Sequence, residues 1–149
     1  CMITQTVRAG LYVMEKTLRA TSNVITSIDA GINYIKNNLK KFDIIIDDGV
    51  HRNEDVQISL GYLFKHLKSG GFYIIEDVVW STRRNSNEDL VKEYGKTIST
   101  IKMMKQFTDT KEIESTVMLD EEKRYLCENI DSWDLQPAAQ DALLIIRKK

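Results

Sequence analysis

Two stretches decide the fold of this 149-residue chain: Phe42-Asp43-Ile44-Ile45-Ile46-Asp47-Asp48-Gly49-Val50-His51, and Phe72-Tyr73-Ile74-Ile75-Glu76-Asp77. Each is an unbroken, largely β-branched apolar run that ends abruptly in two acids. Such a run is too short and too uniform for an amphipathic helix, and is the pattern of a strand buried on both faces, as in a parallel sheet. Between them Val56, Leu60, Leu63, Phe64 and Leu67 recur at helical spacing through Lys68. Ser69-Gly70-Gly71 would close that helix with residues suited to left-handed conformations. Strand, helix and strand over so few residues make a parallel crossover unit.

Working outward, residues 11–14 and 24–28 read as short strands, and 32–39 as a helix that leads into the first long strand. Downstream, Ser86 and Asp89 resemble a capping box ahead of one helix carrying Leu90, Tyr94, Ile98, Ile101 and Met104 on a single face. Residues 113–119 and 142–146 read as the last two strands, with an irregular charged stretch between them that holds Trp133 and the only proline, Pro137. There is no internal repeat. The expected class is α/β, as one domain over residues 1–149.

Composition narrows the partners. With 42% apolar residues the chain can bury one core, and a formal net charge of −1 with dispersed Lys and Arg offers no stripe for nucleic acid and no basic membrane anchor. No apolar run nears the ~20 residues of a spanning helix, and no leader pattern opens the chain. Cys1 and Cys127 lie far apart, without metal-type spacing, which suits a reduced compartment. The expectation is a cytoplasmic protein acting on a small molecule, with no nucleic acid and no membrane.

The chemistry lies where the two strands end. Ligands of parallel sheets bind beyond the carboxyl ends of the strands, which here carry Asp47, Asp48, Glu76 and Asp77, with His51 close behind. So many like charges need a cation, and oxygen donors of this kind suit a hard ion such as Mg²⁺. A hydroxyl held there would lose its proton more easily, and a neutral His51 would serve as general base. The plain alternative for Asp47 and Asp48 is that they cap the turn and the next helix. Trp80 and Arg83 suit a pocket wall or a loop anchor equally. His66, in mid-helix, reads as a surface or packing residue.

The same two stretches, extended through Leu63-Phe64-Lys65-His66-Leu67-Lys68-Ser69-Gly70-Gly71, closely resemble the central region of the metal-dependent macrolide-sugar O-methyltransferases. These stand with mycinamicin- and macrocin-type enzymes and the cephalosporin hydroxylase-like group, whose pattern is Asp-Asp-Gly-Ser-His followed by Gly-Gly-x-Tyr-x-Ile-Glu-Asp. Val50 stands where the serine is usual. The resemblance implies a class I, S-adenosylmethionine-dependent methyltransferase: a Rossmann-like sheet, mostly parallel with an antiparallel C-terminal strand, in the order 3-2-1-4-5-7-6. It also implies Mg²⁺ or a similar divalent cation held by Asp48, Glu76 and Asp77, His51 as catalytic base, and Asp47 as a neighbouring support of the cofactor site. Glu15, near Tyr12 on the segment resembling the second strand, would take the cofactor ribose, and Asp29 the adenine side.

The Gly-rich loop that opens such sheets has no counterpart, and ten residues before Leu11 are too few for strand, loop and helix. The expectation is a sheet incomplete at its N-terminus, its gap filled by residues 2–7, by a second copy in a homo-oligomer, or by nothing because the chain is a fragment. Three functions follow. The first is a Mg²⁺-assisted O-methyltransferase for a hydroxyl of a sugar or small polyol. The second is a degenerate methyltransferase-like binding or oligomerisation module. The third is a metal-dependent hydrolase that activates water with the same acids.

Overall fold

The computed structural model describes residues 41–138 and 141–149. The expected strands at 11–14 and 24–28, the helix at 32–39, and Glu15 and Asp29 lie outside the described residues. Four strands form one sheet: β1 (Phe42–Asp47), β2 (Leu67–Ile75), β3 (Ile130–Pro137) and β4 (Ala142–Lys148). Their order is β1-β2-β4-β3, with β1 and β2 parallel and β4 antiparallel to both β2 and β3. That order, with the reversed strand in that place, is the 4-5-7-6 portion of the expected sheet.

The helices are α1 (Asn53–Leu63), α2 (Trp80–Arg83), α3 (Glu88–Tyr94), α4 (Thr100–Thr110) and α5 (Asp120–Asn129). α1 is the crossover between β1 and β2. It begins with Glu54 and Asp55 in its first turn, where negative charge meets the positive end of the helix dipole. Its Val56, Leu60 and Leu63 pack with Ile45, Tyr73, Ile75, Leu144 and Ile146 of the sheet and with Met103, Met104, Phe107 and Leu126 of α4 and α5 in one core. Gly61 lets α5 approach closely: a Cβ there would stand 2.8 Å from Glu122 Oε2 and 3.2 Å from Met118 Cγ.

The structure corrects the reading of several elements. β1 is unevenly buried: Phe42, Ile45 and Asp47 are buried and Ile46 is half-buried, while Ile44 is 41% exposed. α1 stops at Leu63, and after a single 3₁₀ turn (Phe64–His66) the chain enters β2 at Leu67. Ser69-Gly70-Gly71 therefore lie inside β2, where the register jumps from Phe42↔Leu67 to Ile44↔Phe72. Gly70 there does take a left-handed φ of 76°.

The single helix expected from Leu90 to Met104 is two helices. Asn87, rather than Ser86, caps α3, accepting from Leu90 N, and Gly95 at φ 79° ends it before Ser99 caps α4. The expected strand at 113–119 is a loop, because Ser115 Oγ accepts from the backbone N–H of Val117 and Met118 and turns the chain locally. Ile113 and Met118 are its buried anchors. The strand is instead Ile130–Pro137, within the stretch expected to be irregular; Trp133 and Leu135 pack on the core, and Pro137 sits at the tip of a strand that, among the described residues, pairs with β4 alone.

Candidate active site

The carboxyl ends of β1 and β2 lie side by side, since the strands are parallel and Glu76 N donates to Asp47 O at 3.0 Å, one step beyond the regular ladder. The chain turns out of each strand within a few residues. His51 and Asp77 both adopt left-handed backbone, at φ 52° and 49°, a conformation that costs a non-glycine residue about 1 kcal/mol or more and concentrates at functional sites.

These turns bring three of the expected residues together. His51 Nε2 stands 3.7 Å from Asp48 Oδ1 and 3.8 Å from Asp77 Oδ2, so the imidazole lies between carboxylates from the loops that follow two different strands. The His51 side chain is 15% exposed, whereas those of Asp48 and Asp77 are 55% and 54% exposed and face solvent. Both separations exceed hydrogen-bond length. Nε2 therefore faces both carboxylates without a direct bond to either.

Asp47 and Glu76 are placed differently. Asp47 is 1% exposed and turned toward the core, where it accepts from the Tyr73 hydroxyl at 3.0 Å. Alternation along β1 explains this, because successive side chains point to opposite faces and Asp47 follows Ile45 inward. Glu76 is half-buried at the mouth of β2. Among the described residues no three His, Cys, Asp or Glu side chains converge as a ready-made metal cage. Asp48 and Asp77 nonetheless fit a hard divalent ion by their chemistry, as anionic oxygen donors on solvent-facing side chains with room for the water ligands such an ion keeps.

Beside His51 opens a cavity of about 280 Å³ lined by His51, Asp77, Trp80, Arg84 and Asp141. Trp80, at the start of α2, is 47% exposed. Of the two pocket-wall candidates Trp80 lines the cavity, and Arg84 rather than Arg83 stands beside it. The Arg84 guanidinium donates through Nη1 to Val50 O, tying the chain after α2 to the turn that carries His51. Asp141 Oδ1 accepts from Val79 N and from Ala142 N, both at 2.7 Å, and so fixes the start of β4 against the loop after β2.

Arg84 and Asp141 were not singled out in the sequence. Arg84 lies one residue from a noted arginine, but Asp141 reaches the cavity only because β4 is β2's neighbour. Asn53 and Ser81 were missed as well. Asn53 Nδ2 donates to Ser81 O at 2.8 Å, linking the start of α1 to α2. The one available signal was a buried-helix pattern that opens with polar residues, Asn53, Glu54 and Gln57, on the face that should be apolar.

No family model matches the chain. The chain is 52% identical over 40 residues to the L-olivosyl-oleandolide 3-O-methyltransferase of Streptomyces antibioticus. It is 57% identical over 37 residues to the demethylmacrocin O-methyltransferase of Streptomyces fradiae, and 54% over 37 residues to the mycinamicin VI 2''-O-methyltransferase of Micromonospora griseorubida. Over these segments the chain is similar in sequence to three O-methyltransferases. The matched segments span 25–27% of this chain and 9–10% of each relative. Among solved structures, the MycE methyltransferase of the mycinamycin biosynthetic pathway, in complex with Mg, SAH and mycinamycin VI, is similar at 26% identity. That likeness has a TM-score of 0.48 and covers 73% of this chain and 26% of that one. No helix among the described residues is long and apolar enough to cross a membrane.

Proposed function

We propose that the protein of which this chain is part is an S-adenosylmethionine-dependent, Mg²⁺-assisted O-methyltransferase acting on a hydroxyl of a sugar or similar small polyol. The observation that carries the reading is the placement of His51 between Asp48 and Asp77 at the edge of an open cavity. The sequence relation to three O-methyltransferases supports the reaction type.

The residues divide the work as follows. Asp48, Asp77 and the adjoining Glu76 would hold the divalent ion, which when bound lowers the pKa of a hydroxyl, while S-adenosylmethionine supplies the methyl group. His51 Nε2 would take the hydroxyl proton as the oxygen–methyl bond forms and the methyl–sulfur bond breaks, so that charge and atoms balance. Trp80 offers an aromatic face to the apolar side of a sugar ring, and Arg84 and Asp141 offer a donor and an acceptor for its hydroxyls. Asp47, bonded to Tyr73 beneath the turn, sets the direction in which Asp48 and His51 leave β1. Outside the described residues, Glu15 and Asp29 remain our candidates for cofactor contact. Positioning and charge stabilisation are the main sources of rate in this scheme.

The test is methyl transfer from labelled S-adenosylmethionine to a panel of glycosides with Mg²⁺ present. Transfer that falls about 10²- to 10⁴-fold in His51→Ala is expected of a general base. Transfer that is undiminished in His51→Ala would remove His51 from the role, and hydrolysis of a substrate with Mg²⁺ and no cofactor would replace the transferase by a hydrolase.

A further inference from the structure

We propose that Asn53 is a positioning residue for this site, fixing the His51 turn against the Asp77 loop. This rests on the reading of His51, Asp48 and Asp77 as the reaction centre. Asn53 is the first residue of α1, two after His51, and Ser81 lies four after Asp77. The Asn53 carboxamide spans three elements. Its Nδ2 donates to Ser81 O at 2.8 Å, and its Oδ1 accepts from Thr100 N at 2.8 Å and from Thr100 Oγ1 at 3.2 Å. Ser81 and Thr100 are buried, at 1% and 0% exposure, and Asn53 is half-buried between them.

Ser81 Oγ lies 2.5 Å from Val78 O and 3.2 Å from Asn53 Oδ1. Its single proton serves the nearer carbonyl, which leaves the Asn53 Nδ2 bond as the firm link between the α1 start and α2. Thr100 N belongs to the first turn of α4, whose leading amides have no partner within the helix, so Oδ1 also caps a neighbouring helix. Only an amide suits both tasks: Asp would offer no donor to Ser81 O, and Ala would leave Ser81 O and Thr100 N buried and unmet.

Gln57, one turn on, is the natural control. It is fully buried and ties α1 to the segment before α4, donating to Ile98 O at 2.7 Å and accepting from Thr97 Oγ1 at 2.9 Å, yet neither partner belongs to the loops that bear His51 or Asp77. Loss of Gln57 should cost stability. Loss of Asn53 should cost stability and also release His51 from Asp77.

NMR of the whole chain reads the difference, since it contains only two histidines, His51 and His66. Cross-relaxation between the His51 ring and the Asp77 side chain, without metal, should be present in the wild type and in Gln57→Ala and lost in both Asn53→Ala and Asn53→Asp. Asn53→Asp keeps the acceptor for Thr100 and serves if Asn53→Ala fails to fold. Persistence of the contact in Asn53→Asp, or equal loss in Gln57→Ala, would overturn the proposal. Added Mn²⁺ should broaden the His51 signals of the wild type, with an affinity about 10- to 100-fold weaker in Asn53→Asp. Absence of broadening in the wild type would count against the metal reading alone, because the metal-free spectra decide the positioning.

Discussion

His51 and Asp77 hold left-handed backbone without being glycine, and their side chains approach to 3.8 Å across the two strand ends. Replacing either with glycine would relieve the backbone and remove the chemistry together, so stability and function should move in opposite directions there. For His51→Gly the expected outcome is a thermal midpoint equal to or above the wild type with methyl transfer abolished; a lowered midpoint would show that the left-handed turn carries no strain. The acids and the imidazole were legible in the sequence because two apolar runs stop at paired acids. Their unequal fates were not. Asp47 turns inward to Tyr73 while Asp48 faces solvent, a distinction set by where the pleat ends, which no residue type announces.

At the scale of elements, the junction of β1 and β2 is the most demanding piece of backbone. Gly71 lies where the register jumps, and a Cβ on it would stand 2.8 Å from Asp43 O and 3.0 Å from Lys68 O, both backbone atoms that cannot rotate away. Gly71→Ala should therefore destabilise the protein by about 1–3 kcal/mol, as overpacking does, measured by denaturant titration. An unchanged midpoint would mean that the strand end can open freely. In the sequence Ser69-Gly70-Gly71 reads as a helix end; the glycines serve an insertion within β2 instead. α1 illustrates a second limit. Its half-buried Asn53 and its buried Glu54 and Gln57 hold loops rather than fill the core, so an apolar stripe marks the helix but not its work. At 113–119 and 130–137 the strand and the loop exchange places, because Ser115 bonds the amides just after it and turns the apolar segment, whereas the polar 130–137 segment becomes a strand by pairing with β4.

Across the whole molecule, the sheet brings its last strand back to the first helix connection. Lys148 of β4 is 5% exposed, and its ammonium donates to Leu67 O at 2.9 Å, to Lys65 O at 3.4 Å and to the Tyr125 hydroxyl at 2.6 Å. That positive charge, with Lys65, adds to burial in holding the neighbouring His66 below its ordinary pKa of 6.5, burial being the larger cause. A histidine whose folded pKa is depressed binds fewer protons than in the unfolded chain, so stability should fall as pH drops from about 6.5 through the folded value. His66→Gln should flatten that part of the stability curve in pH-dependent thermal melts, and a slope unchanged by the substitution would place its origin elsewhere.

The decisive measurement for the methyltransferase reading is calorimetric titration of the chain with S-adenosylhomocysteine, with and without Mg²⁺, beside Asp48→Ala. Micromolar binding that Mg²⁺ strengthens in the wild type and leaves unchanged in Asp48→Ala is the expected result. A folded chain that binds neither S-adenosylhomocysteine nor Mg²⁺ would contradict it.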